Sequence, residues 1–339
     1  MTRKTKTHKT SKKKVPAQKV GRTLPFLLLG GIALFGISYY VSNQPETATS
    51  TAIVKPQPKP ETKVVQPNKE IITHTLKLNS REPRKLNIPA YVPPQEIERK
   101  QRWKDNAVKV KATPDKAKIV IIIDDVGMNY SAAKELIEIK EPLTMAFLPY
   151  ARNVDKLAKA SKEAGQELMI HMPMEPMDGD LDTGSINLKT SYSSKEFDSM
   201  MDKAFAAFDG YVGLNNHMGS KFTQDPESMR RLMDRLYQEG MLFVDSRTIH
   251  TSVAEKTAND FLVPNIARDV FIDHDPSAEG VRKSLEKVES VARKHGLVVA
   301  IGHPKTETIK ALKEWIPTLE SKGMVLVPVS AVVKTPQNN

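Results

Sequence analysis

The chain contains no cysteine. Disulfides, thiolate metal ligands and a cysteine nucleophile are therefore excluded, and any metal site has to be built from nitrogen and oxygen donors. Without disulfides, an exported domain needs a sizeable core, and residues 117–335 provide enough chain for one. Acid is missing from the first 22 residues. Nine of the 51 basic residues fall there, leaving 42 against 40 acidic ones over the remainder, so the net charge of +11 belongs mainly to the N-terminal block. The folded part has no excess charge to attract a polyanion, and nucleic acid is not an expected partner. No Gly-rich phosphate loop, G-x-S-x-G turn or heptad pattern occurs, which argues against a nucleotide cradle, a serine-hydrolase elbow and a coiled coil.

The basic segment, 1–23, precedes an uncharged apolar run of 18 residues, Leu24 to Val41 (LPFLLLGGIALFGISYYV). That length just suffices to cross a bilayer, and Tyr39 and Tyr40 stand where an interfacial aromatic pair belongs. The positive-inside rule places 1–23 in the cytoplasm. The expectation is a single-pass anchor over 24–41 in a bacterial inner membrane, N-terminus in, with the domain in the periplasm or outside. A cleavable signal peptide is the rival; the long basic region and the lack of a clean A-x-A site favour the anchor. Residues 42–116, rich in Pro, Thr, Lys and Gln, have no sustained apolar period and read as a disordered, partly extended tether.

From Lys118 onward short apolar runs alternate with amphipathic segments. The runs are KIVIII, 143–148, 168–170, 211–215, 241–244, a weaker stretch near 270–272, 297–301 and 324–327. The helix candidates are 153–164, 194–208, 225–239, 277–295 and 306–321. Ser193 with Glu196 fits a capping box, Asp225-Pro226 fits an N-cap followed by proline at N1, and four helices end at a glycine. This βαβ alternation predicts a parallel sheet. Seven or eight strands suit a closed or nearly closed barrel better than an open sheet, although an open sheet fits the same pattern.

Polar residues cluster just after the runs. IVIII leads into Asp124-Asp125, the third run into His171, the fourth into Asn215-Asn216-His217, the fifth into Asp245, and 297–301 into Gly302-His303. Strand C-termini are where sites form in β/α folds. Adjacent carboxylates conflict unless a cation or a general-base role separates them. The His and Asp set suits a hard-to-borderline divalent ion, Zn²⁺ first. Asp273-His274-Asp275 has ligand types too, but reads as a solvated turn.

At these residues the chain resembles the polysaccharide deacetylase superfamily of NodB-homology fold, and in particular its divergent polysaccharide deacetylase branch. The segments that carry the resemblance are IVIIIDDVGMN, LMIHMPMEP, GLNNHMGSKFT, FVDSRT and AIGHP, within 117–333. It implies an α/β fold, a distorted (β/α) barrel of seven or eight mostly parallel strands, and metal-dependent hydrolysis of acetyl groups on carbohydrate. It also implies Asp124 as general base, Asp125 and His171 as metal ligands, and His303 as general acid. The family's H-x-x-x-H pattern has Glu175 in place of its second histidine, so the third ligand is His217 or, alternatively, Glu175. The usual third motif is replaced by Asn216-His217-Met218-Gly219.

The chemistry is coherent on its own terms. A metal held by Asp125, His171 and a third ligand would acidify a water, Asp124 would take its proton, and His303 would protonate the leaving group. Asn216 and Asp245 are the candidates for substrate or oxyanion contacts. A non-catalytic glycan-binding module or a tethered scaffold on the same barrel is the competing expectation.

Overall fold

β1 (Ala117–Val126) shows how the chain builds its layers. Its residues alternate between two apolar clusters: Ile119, Ile121 and Ile123 join the larger one, while Val120 and Ile122 join a smaller one with Ala146, Met169, Leu242 and Val299. Burial on both faces explains why the run is continuously apolar. The smaller cluster is the inside of a curled sheet; the larger one lies between the sheet and its helices.

The computed structural model describes residues 100–111 and 113–336. The expected span 24–41 and most of the tether lie outside them. Among the described residues no helix is long and apolar enough to cross a membrane. The remaining strands are β2 (Thr144–Phe147), β3 (Glu167–Met174), β4 (Tyr211–Met218), β5 (Leu242–Asp245), β6 (Asn265–Ala267), β7 (Val270–Phe271), β8 (Leu297–Gly302) and β9 (Met324–Leu326). The helices are α1 (Arg102–Asp105), α2 (Tyr130–Ile137), α3 (Val154–Glu163), α4 (Ser194–Phe205), α5 (Pro226–Glu239), α6 (Ala254–Asp260), α7 (Ala278–His295) and α8 (Thr306–Trp315).

All strand pairings are parallel, in the order β6-β5-β4-β3-β2-β1-β8-β7. β9 pairs with Ala117–Ile119 of β1, on the edge that β2 occupies farther along. In place of the closed or nearly closed barrel expected, the sheet curls into a half-barrel: its free edges, β6 and β7, are unpaired, joined by only Arg268 and Asp269, and leave a seam.

Helix signals hold at both ends. Ser193 and Glu196 form the full capping box, Asp225 caps α5 by accepting from Ser228 N with Pro226 following, and Gly240 closes α5 at φ 64°. α5 buries Met229, Leu232, Met233 and Leu236, one stripe at helical spacing. α8 stops at Trp315, short of the expected 321, because Pro317 cannot continue the α ladder and the chain tightens into 3₁₀ turns.

The N-terminal end of the barrel is sealed by segments outside the βα repeat. Residues 100–111, assigned from sequence to the tether, belong to the folded body. Trp103 packs on the inner cluster, Arg102 Nη1 donates to Tyr211 Oη at 3.0 Å, and Val108 N donates to Glu167. From the other side Ser330 donates to the same Glu167 carboxylate, and Lys334 pairs with Asn265. Burial pushes the Glu167 carboxyl up, and the hydrogen bonds from Ser330, Val108 and Thr144 offset this only in part.

Candidate active site

The inward parity of Val120 and Ile122 continues to Asp124, which is 3% exposed above the inner cluster. Asp125 would then face outward, but its backbone is left-handed (φ 55°) and the β1–β2 register slips between Ile123 and Val126. This kink turns two consecutive carboxylates toward one mouth. Gly127 completes it at φ 107°, where a Cβ would lie 2.6 Å from Ala151 Cβ.

Three ligand atoms converge there. Asp125 Oδ1 lies 3.2 Å from His171 Nε2 and 2.9 Å from His217 Nδ1, and the two ring nitrogens are 3.1 Å apart. A tetrahedral ion with bonds of about 2.0–2.1 Å separates its ligands by about 3.3 Å, so the triangle has the size that such an ion needs. Asp125 Oδ1 is buried and completes no hydrogen bond despite its two neighbours. Among the described residues, this is the only such group of three or more. The tautomer of His171 fits as well. Asn215 Nδ2 donates to Asp124 Oδ1 at 2.7 Å, so Asn215 Oδ1 faces His171 Nδ1 at 2.9 Å and holds the proton on that nitrogen. The lone pair on Nε2 is left pointing at the triangle.

The electrostatics are those of a site organised for a cation. Burial alone would raise the Asp125 carboxyl, but His171 and His217 outweigh it and hold it far below the usual carboxylate range. Burial would lower the His171 imidazole, yet Asp124 and Asp125 push it up. At Asp124 burial dominates and raises the carboxyl against the pull of His171, His303 and Asn215.

His303 follows β8 on the other side of the triangle, its Nε2 3.8 Å from Asp125 Oδ2. Its Nδ1 and backbone N–H both meet the Asp273 carboxylate, at 2.9 and 2.8 Å, and Thr308 Oγ1 donates to the same group at 2.9 Å. Burial would lower His303, but Asp273, then Asp124, raises it. The solvated turn expected at 273–275 is corrected in this respect: the Asp273 side chain is fully buried and orients His303.

Asp124, Asp125, His171, His217 and His303 are therefore brought together. Glu175 is not: it accepts from Thr190 N and Oγ1 and pairs with Lys221 at 2.7 Å. Asp245 is turned away as well, accepting from Arg247 N and Ser252 Oγ. Asn216 borders the cleft, but its amide is engaged with Met218 O and Ser246 N. Sequence reasoning missed the parts played by Asn215, Asp273, Ser246 and Arg268. The cleft measures about 440 Å³ and runs from the triangle past Phe271 to Arg247 and Arg268.

A curled parallel α/β half-barrel with an Asp/His/His triangle, a buried carboxylate and an aspartate-held histidine at its mouth defines the class of polysaccharide-deacetylase-like barrels. Residues 121–333 match the profile of the divergent polysaccharide deacetylases, and the chain belongs to that family. It is 33% identical over 198 residues to an uncharacterized protein of Haemophilus influenzae, covering 58% of this chain and 70% of that one. It is 30% identical over 221 residues to YibQ of Escherichia coli, covering 65% and 68%. Among solved structures it is similar in fold to the uncharacterized protein ATU2773 of Agrobacterium tumefaciens, with a TM-score of 0.65 at 20% identity, covering 68% of this chain and 94% of that one.

Proposed function

We propose that the chain is a metal-dependent hydrolase that removes acetyl groups from a carbohydrate of the cell envelope. The observation that carries this reading is that Asp124 and His303 both border the Asp125–His171–His217 triangle, Asp124 Oδ1 3.6 Å from His171 Nδ1 and His303 Nε2 3.8 Å from Asp125 Oδ2. Asp125, His171 and His217 would hold the ion, with zinc favoured by an all-N/O set of this size. A bound divalent ion would supply an acidified water and polarise the acetyl carbonyl.

The chain's own groups do the rest. Asp124 has one oxygen fixed by Asn215 and accepts the water's proton. His303 keeps Nδ1 on Asp273, which leaves Nε2 to hand a proton to the departing amine or alcohol. The inner cluster beneath Asp124 keeps bulk water from the floor of the site.

On the sequence expectation for 24–41, the domain is held on the outer side of the inner membrane. Protease added to spheroplasts should digest the domain and spare the N-terminus. The activity is tested by acetate release from acetylated chitooligosaccharides, peptidoglycan fragments and acetylated xylan by the zinc-loaded chain. Release from one or more supports the proposal. No acetate from any of them, with metal bound and glycan binding measurable, would replace it with the glycan-binding module.

A further inference from the structure

The seam of the barrel carries two arginines that the acetyl-transfer chemistry leaves unused. Arg268 is one of the two residues that join β6 to β7, and Arg247 follows β5, the neighbour of β6. Both line the cleft that holds Asp124, His171 and His303.

Arg268 is fixed before any ligand arrives. Its Nε donates to Ser246 O at 2.7 Å and Nη2 to Arg247 O at 2.9 Å. Its guanidinium lies 5.3 Å from the Phe271 ring, and that ring meets His303 edge-on at 5.4 Å. Nη1 has no partner among the described residues and is not sealed from solvent. The Arg247 guanidinium is exposed; it donates to Arg268 O at 3.4 Å and pairs with Glu255 at 3.4 Å at the surface, where such a pair adds little. A guanidinium held in place with free N–H groups is a preorganised receptor for a planar anion.

One loop across the mouth has the opposite character. In the strand order, β2 and β3 lie across the barrel from the seam. The loop after β3 carries Asp178, Asp180 and Asp182, with Met177 and Leu181 exposed at 64% and 49%. An anionic group entering the mouth is repelled from that rim and drawn to the seam. His303 stands one aromatic ring away from the Arg268 guanidinium, so a carboxylate at the seam and an acetyl group at the triangle fit neighbouring positions on one saccharide.

Resting on the deacetylase reading, we infer that the substrate is an acetylated glycan that contains uronic acid, and that Arg268, assisted by Arg247, receives the uronate carboxylate. This makes both arginines specificity residues.

Binding to the zinc-loaded chain separates this inference from the reaction itself. By calorimetry at low salt, a tetrasaccharide of alternating N-acetylglucosamine and glucuronic acid is compared with tetra-N-acetylchitotetraose. The acidic sugar should bind about 10-fold more tightly, the scale of one charge-assisted pair, and the preference should shrink with added salt. In Arg268→Gln the ratio of the two affinities should fall toward one. Because Arg268 also braces a loop, Arg247→Gln and Arg268→Lys serve as controls. The first should reduce the ratio partially with an unchanged melting temperature; the second keeps charge but loses the planar fork, and should reduce it as well. Equal affinity of wild type for both sugars, or an undiminished ratio in Arg268→Gln and Arg247→Gln, overturns the inference. Acetate release without acid preference would leave the enzyme reading standing alone. Acid preference without acetate release would leave the carboxylate subsite standing on a binding module.

Discussion

Asp273 binds His303 twice, accepting from both its backbone N–H and its ring Nδ1 across 30 residues of sequence. The contact sets the orientation and the charge of a ring that faces the metal triangle. In Asp273→Asn the main attraction that raises His303 is gone while burial, which lowers it, remains. The imidazole of the metal-free variant should therefore titrate well below that of the wild type, read from the His303 ring resonances by NMR. An unchanged titration would mean that Asp124 alone sets the charge.

The same pair shapes stability against pH. His303 is raised in the folded chain, so its contribution is complete below about 6.5 and fades as pH rises through the folded value. Asp273 is depressed, through His303 and Thr308 against its burial, so its contribution is complete above about 3.9 and fades as pH falls through the folded value. The difference in unfolding free energy between wild type and Asp273→Asn, from urea titration, should be largest between these limits, at about 1–3 kcal/mol. A difference that grows above pH 8 would contradict the sign of the His303 shift.

The metal triangle gives a ranked prediction. Asp125→Ala, His171→Ala and His217→Ala should each abolish stoichiometric zinc binding, whereas Glu175→Gln should keep it, since Glu175 is engaged with Thr190 and Lys221. Asn215→Ala removes only the group that fixes the His171 tautomer and should weaken zinc about 10–100-fold. Metal analysis and competition with a chelator measure all five. Loss of metal in Glu175→Gln, with retention in His217→Ala, would restore the i, i+4 ligand pair instead.

Much of this architecture was legible because local and global signals agree: the Ile119–Ile123 run, the Ser193–Glu196 box, and the Asp, His and Asn residues that follow the runs. What the strand-end rule lacked was side-chain direction. Leu242 and Val244 face the barrel interior, so Asp245 shares the outward parity of Phe243; Leu214 faces the helices, so Asn216 points away and Asn215 points in. Simple alternation would have exchanged Asn215 and Asn216, because Val212 joins the inner cluster and the β3–β4 register slips before Gly213. Asp273 was not legible, since nothing local to Asp-His-Asp reveals a partner 30 residues on. α2 and α6 were missed because they bury mostly small side chains, Ala132 and Ala133 in one, Ala254 and Ala258 in the other, and so lack a strong apolar stripe.

Where the tether ends can be tested by truncation. A chain beginning at residue 100 should melt like a longer one, because Trp103, Arg102 and Val108 still pack under the barrel. A chain beginning at residue 113 loses these contacts and leaves the Tyr211 hydroxyl, pushed up to about 12 by burial, without Arg102. It should be about 1–3 kcal/mol less stable, the usual scale for losing a set of part-buried contacts. Equal melting temperatures would return 100–111 to the tether.

The last prediction separates chemistry from metal binding. Neither Asp124 nor His303 belongs to the triangle, so Asp124→Asn and His303→Ala should keep zinc while each lowers the rate of acetate release about 10²–10⁴-fold. Asp124 acts as carboxylate and His303 as imidazolium. The pH–rate profile should be a bell, with Asp124 setting its acid limb and His303 its alkaline limb. Asp124→Asn should lose most of its rate with zinc in place and, because Asp124 helps to hold His303 protonated, should move the alkaline limb down, and His303→Ala should flatten that limb. If both variants release acetate at the wild-type rate, these two groups beside the triangle are not its base and acid, and catalysis has to be sought elsewhere in the cleft.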